Sequence, residues 1–329
     1  MNPLRSRREA AGLTQAQLAL RAGVSRQLVG AAESGRHIPR VDAALALAAA
    51  LGTGVAELFG APSTVTDVAT GAVPPDGSVV RVGWVGDRMV SAPARVGGDG
   101  WDAADGTVVG GEVSLFGEAR PGLVVAGCEP GLETLERLLR QGGIGAVSVA
   151  TSSRVARTAL AEGRVHAAVI HGPAGSRLRA PDGVAAFALA RWRVGLAVPD
   201  GIGSEWWEGV VAGSLPVVQR EHGAAVQQAF EDATGGAQVP GRRVSGHVAA
   251  ARDGFAAGLP AVTIEPAARS VGSPFHALDT HSVRLWVGEE WLAERDVEVA
   301  LSVITGRVFR RQLEAIGGYH LDELGTRVR

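Results

Sequence analysis

Residues 13–40 read LTQAQLALRAGVSRQLVGAAESGRHIPR. Thr14 stands just ahead of the apolar positions, and Gln17 follows three residues later, the spacing of a reciprocal capping box. A helix is therefore expected from Gln15 to about Ala22, with Leu18 and Ala19 inward and Gly23 as its stop. Ser25 is a second N-cap, and a further helix runs from there to about Ala32 before Glu33–Ser34–Gly35 ends it. Working outward, residues 3–11 (PLRSRREAA) form a helix closed by Gly12. Pro39 and Arg40 lead into VDAALALAAALG, and VAELFG adds a last turn. Leu4, Leu13, Leu18, Val24, Val29, Leu45, Leu47, Leu51, Leu58 and Phe59 are the candidate core. By spacing alone, a generic five-helix bundle remains an alternative.

Two short helices joined through Ala22–Gly23–Val24 match helix-turn-helix geometry, in which a glycine accepts the tight turn. The order TQxxLA, GVSRQ, ExGRxxP resembles the Cro/cI-like (XRE-type) helix-turn-helix family across residues 3–60. The resemblance implies double-stranded operator DNA as partner. It places Gln15 on a phosphate, Ser25, Arg26 and Gln27 in the major groove, and Arg36 on the backbone. The side-chain chemistry fits independently: arginine can be bidentate to guanine and glutamine to adenine. One departure is Gly30–Ala31–Ala32, where relatives often carry bulkier residues, so base reading is expected to rest on Arg26 and Gln27. A single head makes a small interface, and a homodimer on a two-fold operator is expected.

The charge divides along the chain. Among 329 residues, 32 basic side chains, all arginine, face 34 acids for a net of -2. Residues 1–60 hold seven arginines and four acids, a net of +3, and the remainder 25 and 30, a net of -5. A basic head on an acidic body is expected where only one domain meets a polyanion. With 46% hydrophobic residues the chain is not a disordered tail. One cysteine excludes an intramolecular disulfide and a cysteine-only zinc site. Apolar runs fall short of the roughly 18–20 residues of a membrane span. No apolar core follows the basic start, so no signal peptide, no membrane and a cytoplasmic location are expected.

Residues 61–79, rich in Pro, Gly, Ser and Thr, are expected to be a linker. Residues 80–119 read as short strands with glycine turns, either a small subdomain or the opening strands of the body. From 120 to 329 strands alternate with helices about ten residues long, which implies an open, mainly parallel α/β sheet with binding loops at strand ends. Residues 185–199 are long enough to cross between lobes. The expected fold class is multidomain: an all-α five-helix head plus a two-lobed α/β body.

The strings VVAGCEPGLETLERLL, SRVARTALAEGRVHAAVIHG, GLAVPDG, VVQREHG, SGHVAAARDGFAAGLPAVTIEPAAR and FRRQLEAIGGYHLDELG follow in one order. Together they resemble the periplasmic-binding-protein-like domain of cytoplasmic regulators, related to molybdate-binding proteins. The resemblance implies a ligand cleft lined by Cys128, Glu129, Thr151, Ser152, Ser153, His171, Arg220, Glu221, His222, Ser245, His247 and Glu265. Cys128 also reads as a small buried hydrophobe, Ser153 as an N-cap, and Glu265 as a structural acceptor. Relatives commonly carry Gly followed by Ser or Thr after the Arg-x-x motif, whereas Gly223 here precedes Ala224 and Ala225. Two hydroxyls are thus missing where an oxyanion would sit, and Glu129, Glu221 and Glu265 add negative charge. The departure favours a small organic effector over molybdate. Trp192, Trp206 and Trp207 are candidates for stacking on it and equally for core packing.

HExxH, P-loop, GxSxG and CxxC strings are absent, and GGIGAV (142–147) precedes a strand instead of following one. His171, His222, His247 and His281 are too scattered in sequence to suggest a metal ligand set. No enzyme activity, no metal and no cofactor are expected. The expected function is a transcriptional regulator that reads an operator with its head and senses a small molecule in its body. The alternative is a repressor whose body serves oligomerisation or protein contacts alone.

Overall fold

The computed structural model describes residues 3–34, 37, 39–59, 64–94, 96–97, 100–101, 103–117, 122–176 and 178–328. The chain divides into two compact units, Met1–Ser63 and Thr64–Arg329. Among the described residues no helix is long and apolar enough to cross a membrane.

Among the described residues the first unit holds five helices: α1 (Pro3–Ala10), α2 (Gln15–Ala22), α3 (Arg26–Glu33), α4 (Val41–Leu51) and α5 (Val55–Phe59). Both halves of the capping box form: Thr14 Oγ1 accepts from the Gln17 backbone N–H, and the Gln17 side chain accepts from the Thr14 N–H. Gly23 takes the left-handed conformation (φ 65°) that lets α2 stop and the chain turn into α3. Leu4, Leu18, Val29, Leu47 and Leu58 are buried in one core, with Leu13, Val24, Leu51 and Phe59 at its margin. Leu45 departs from the expectation: it is 56% exposed, because the α4 face turned inward carries Ala44, Leu47 and Ala48.

The second unit begins earlier than its composition suggests. Strand β1 (Thr66–Asp67) pairs in parallel with β3 (Arg88–Pro93), beside β2 (Val79–Val85). The expected linker 61–79 is thus corrected: from Thr64 the chain belongs to the body, and Asp67 holds the following turn through Ala69 and Thr70. After the two-residue pair β4 (Val96–Gly97) and β5 (Gly100–Trp101), strands β6 (Gly106–Val109) and β7 (Glu112–Leu115) complete a five-stranded sheet, ordered β1-β3-β2-β6-β7. This sheet packs on the rest of the body. A Cβ on Gly83 would come within 2.5 Å of Val124, so only glycine permits that approach. Buried Arg81 ties it further, donating to Glu136 (2.9 Å) and to the Ser148 carbonyl (2.9 Å).

The main sheet is built by β8 (Gly122–Gly127), α6 (Gly131–Gln141), β9 (Gly145–Ala150), α7 (Ser153–Ala161), β10 (Ala167–Pro173) and β11 (Val184–Ala197). Then come α8 (Trp206–Val211), β12 (Gln219–Arg220), α9 (Ala225–Ala233), β13 (Arg243–Val244), α10 (His247–Ala257), β14 (Ala261–Ile264), α11 (Glu265–Ser270) and β15 (Phe275–Gly288). A 3-10 turn at Glu289–Trp291 precedes α12 (Arg295–Thr305), α13 (Arg307–Ile316) and β16 (Arg327–Val328). Strand order is β14-β11-β15-β10-β8-β9, with β16 added on β11.

The expected mainly parallel sheet is corrected to a mixed one. Strands β8, β9 and β10 are parallel, while β15 runs antiparallel to β10 and β11, and β14 antiparallel to β11. Residues 275–288 form one 14-residue strand, and β11 is equally long. These two strands pair along their whole length and join the two halves of the body, one holding β8, β9 and β10 with α6 and α7, the other β14 with α9, α10 and α11. Their register shifts at Ala188/Ala190 and Val194/Gly195, where the ladder bends between the halves.

Candidate functional site

In the helical unit, the residues expected on DNA divide into two groups. Ser25, Arg26 and Gln27 are exposed at the start of α3, and Ser25 Oγ caps the helix by accepting from the Leu28 N–H (3.1 Å). Gln15 is half-buried and donates through Nε2 to Glu33 Oε2 (2.8 Å). Glu33, the acid of the ExGR string, is buried and also takes Arg8 Nε (2.5 Å) and Nη2 (3.1 Å). Burial works to raise the Glu33 carboxyl, but hydrogen bonds from Arg8 and Gln15 and the charges of Arg8 and Arg5 outweigh it and hold it below its ordinary value. This latch fixes α1, α2 and α3 together and leaves the first turn of α3 free. Arg36 lies outside the described residues.

In the body, the fold gathers side chains from four distant segments. Cys128 follows β8, His171 lies on β10, Arg220 ends β12 and His247 begins α10. Cys128 Sγ is 2.9 Å from His247 Nε2 and 3.3 Å from His171 Nε2. His171 Nδ1 is 3.0 Å from His281 Nδ1 on β15. Arg220 Nη1 meets His247 Nδ1 at 2.5 Å, while its Nε and Nη2 donate to Glu221 (both 2.8 Å). Gln227 accepts from the Arg220 backbone N–H (2.9 Å). Trp192, wholly buried on β11, stands edge-on to His171, His247 and Tyr319.

Donor and acceptor roles follow in sequence. Arg220 has only donors, so His247 Nδ1 must accept. Burial, then the Arg220 charge, push His247 well below its ordinary value, so the ring is neutral and carries its hydrogen on Nε2. That N–H points at Cys128 Sγ. Burial pushes the Cys128 thiol up to about 11, so it keeps its proton and donates to His171 Nε2. His171, pushed down to about 3 by burial and by the nearby His281 and Arg220, is then neutral with its hydrogen on Nδ1, facing His281 Nδ1. Asp279 Oδ2 lies 3.5 Å from His281 Nε2, without hydrogen-bond geometry. The result is a directional chain from Arg220 to His281, each proton assigned by its neighbours.

The other expected cleft residues are placed as follows. Ser153 Oγ accepts from the His171 backbone N–H (3.1 Å), and Ser152, rather than Ser153, caps α7. Thr151 continues the strand end through its N–H to Gly127. Glu129 turns away from Cys128: its Oε1 accepts from Tyr319 Oη (2.6 Å) and the Gly131 N–H (2.7 Å), and burial pushes it up to about 7. Its Oε2 is buried with no hydrogen-bond partner among the described residues. Glu265 is engaged by Arg193 (2.7 Å twice) and Arg269 (3.0 Å twice). His222 and Ser245 are exposed and outside the cluster. Trp206 and Trp207 pack with His276 instead.

The expectation that the histidines are too scattered for a ligand set is corrected. Cys128, His171 and His247 present three ligand atoms within 4.8 Å of one another, a group able to hold a metal ion. Strand pairing brings 171 against 283 and hence beside 281, and the two halves meet at 128 and 247. Sequence reasoning weighed His281 only as one of four scattered histidines, and it missed Tyr319. Tyr319 is the single tyrosine of the chain and follows Gly317–Gly318, a signal that was available. His281 gave none beyond its place in a strand-like segment. A separate cavity of about 230 Å³ lies at Val82, Gly83, Asp105, Leu123 and Arg140, away from this cluster.

Comparison with known proteins follows the same division. Residues 4–58 match the helix-turn-helix family model, and residues 135–305 match that of the PBP superfamily domain. No curated protein matches the chain. Among solved structures, the restriction-modification controller protein C.AhdI from Aeromonas hydrophila is 40% identical over 18% of this chain and 88% of its own, with a TM-score of 0.17. An ABC-type phosphate transport receptor from Vibrio cholerae is 11% identical over 60% of this chain and 99% of its own (TM-score 0.43). The reduced form of the OxyR regulatory domain from Pseudomonas aeruginosa is 12% identical over 54% and 94% (TM-score 0.40).

Proposed function

We propose, from the premise that this chain belongs to the PBP superfamily and carries an XRE-type helix-turn-helix DNA-binding domain at its start, that it is a ligand-responsive transcriptional regulator. The head reads an operator through Arg26 and Gln27, as one arm of a homodimer. The body takes a small effector where its two halves meet. The observation that carries this reading is the direct contact of Cys128, from one half, with His247, from the other, at 2.9 Å. A ligand entering between them replaces contacts that hold the halves together. Its affinity therefore differs between the two arrangements, which is what coupling to DNA requires. A binding role suits the cluster better than catalysis, because a thiol pushed up to about 11 stays protonated near pH 7 and is a poor nucleophile.

The test begins with an operator selected from random duplexes by the full chain. Each of Arg26→Ala and Gln27→Ala should weaken binding roughly 5- to 100-fold, the worth of one base-edge contact. Parent-like affinity in both variants would remove the recognition assignment. For the body, a thermal-shift screen of the full chain against metabolites, molybdate and tungstate should give a hit that also changes operator affinity. A hit without that change would leave a binding protein and no sensor.

A further inference from the structure

We propose that Cys128, His171 and His247 form a site for a thiophilic transition-metal cation, zinc(II) or copper(I) in kind, set between the two halves of the body. The proposal rests on the reading of this cleft as the ligand site and names the ligand class.

Three observations carry it. The first is the donor set. One sulfur and two imidazole Nε2 atoms, from residues far apart in sequence, converge within 4.8 Å. Zinc bonds of about 2.3 Å to sulfur and 2.0–2.1 Å to nitrogen place tetrahedral ligand atoms about 3.5 Å apart. The observed sulfur–nitrogen separations are 2.9 and 3.3 Å, so an ion needs only a small outward displacement along these two edges. Thiolate plus imidazole selects soft or borderline ions over magnesium or calcium.

The second is the support behind His171. Its Nδ1 faces His281 Nδ1 at 3.0 Å, which holds the hydrogen on Nδ1 and leaves the Nε2 lone pair aimed at the sulfur. Ligating histidines are oriented by such outer partners. His281 is itself buried and lies on β15, one of the two strands common to both halves.

The third is Arg220, which makes the site a switch. An ion on His247 Nε2 requires the hydrogen on Nδ1, where it would meet the Arg220 N–H at 2.5 Å. Two donors cannot face each other, so Arg220 must withdraw from His247. It keeps Glu221 on its other two nitrogens, so its charge stays paired as it moves. The proton balance is simple. The Cys128 S–H bond breaks, the Sγ–metal bond forms, and one proton leaves to solvent. The His247 ring stays neutral and exchanges its hydrogen from Nε2 to Nδ1.

The full chain, without an added histidine tag, is stripped with chelator and titrated with zinc(II), cobalt(II) and, under reducing conditions with a competing chelator, copper(I). One ion per chain is expected, with a thiolate-to-cobalt charge-transfer band. Cys128→Ser should remove that band and weaken binding at least 30-fold, and His171→Ala or His247→Ala at least 10-fold. Arg220→Gln should bind as tightly as the parent or several-fold more tightly, because its amide oxygen can accept from a His247 Nδ1–H, which the guanidinium cannot. Thermal melting of each variant separates ligand loss from unfolding, and the cobalt band in the parent does not depend on any variant. Absence of binding for all three ions, or a Cys128→Ser protein that binds like the parent, overturns the proposal. A parent that takes no metal but is stabilised by a metabolite loses the metal assignment alone and keeps the sensing one.

Discussion

Two buried glutamates show how differently the two units use polar groups. Glu33 in the helical unit is met by Arg8 and Gln15, and its carboxyl is held below the ordinary value. Glu129 in the body is met by the Tyr319 hydroxyl and a backbone N–H, with no cation hydrogen-bonded to it, and burial pushes it up to about 7. The first is a finished structural device: its charge is paired, and the working residues, Arg26 and Gln27, lie elsewhere and exposed. The second borders a cluster in which Cys128, His171, His247 and Arg220 are themselves the candidate working residues. In the head the polar network supports the site. In the body it is the site.

The largest expected effect breaks the head's device. Arg8→Met leaves Glu33 buried without its main cation and should destabilise the helical unit by about 3–5 kcal/mol. Hydrogen exchange of the α1–α3 amides should report that loss, with the β8–β10 amides unchanged. Adding Glu33→Leu should recover much of it, because removing both charges also removes the desolvation cost. If Arg8→Met leaves the head as stable as before, the latch is not what holds α1 to α3.

Next comes an opposite pH response of the two glutamates. The folded-state value of Glu129 lies above the ordinary 4.5, so the folded body holds a proton that the unfolded chain releases. The stability this contributes is complete below about 4.5 and is lost as pH rises through about 7, to a total on the order of 3 kcal/mol. Glu33 has the reverse sign: its contribution is complete above the ordinary value and is lost as pH falls through the lowered one. Melting the body of the parent and of Glu129→Gln between pH 5 and pH 8 checks this. Relative to the variant, the parent should lose stability across that range; both profiles also carry the buried His171 and His247, held below their ordinary values, whose contribution grows as pH rises through the ordinary histidine value. Equal slopes would mean that Glu129 is already ionised throughout.

The smallest effect concerns Leu45, which sequence periodicity assigns to the core and the structure exposes at 56%. Leu45→Gln should change the melting of the head by no more than about 0.5 kcal/mol, whereas Leu47→Ala, at a fully buried position, should cost about 2–5 kcal/mol. Equal costs at the two positions would place Leu45 in an apolar contact in solution.

Much of the head was legible because its determinants are local. Thr14 with Gln17, Ser25 with Leu28, and the turn glycine act over three or four residues, so the string itself specifies the helices and leaves Ser25, Arg26 and Gln27 at an exposed helix start. Strand and helix order in the body was legible for the same reason. Its strand directions were not. A run such as FHALDTHSVRLWVG does not say whether it is one strand or two, and only pairing with β11 along its length makes it one.

The sequence by itself determined the two-part plan, the helix-turn-helix, and which residue types stand at strand ends. It did not determine which of those residues meet. Cys128 and His247 are 119 positions apart, and His171 and His281 are 110 apart. Their contact is created by one sheet that sets β10 beside β15 and by α10 packed on its β14 edge. Only tertiary structure decided that Glu265 is spent on Arg193 and Arg269, that His222 and Ser245 face solvent, and that a cysteine and two histidines share one small space. The physical reason is range. Capping and periodicity act within a turn of helix, whereas burial of polar groups and the proton positions they impose depend on every segment packed around them.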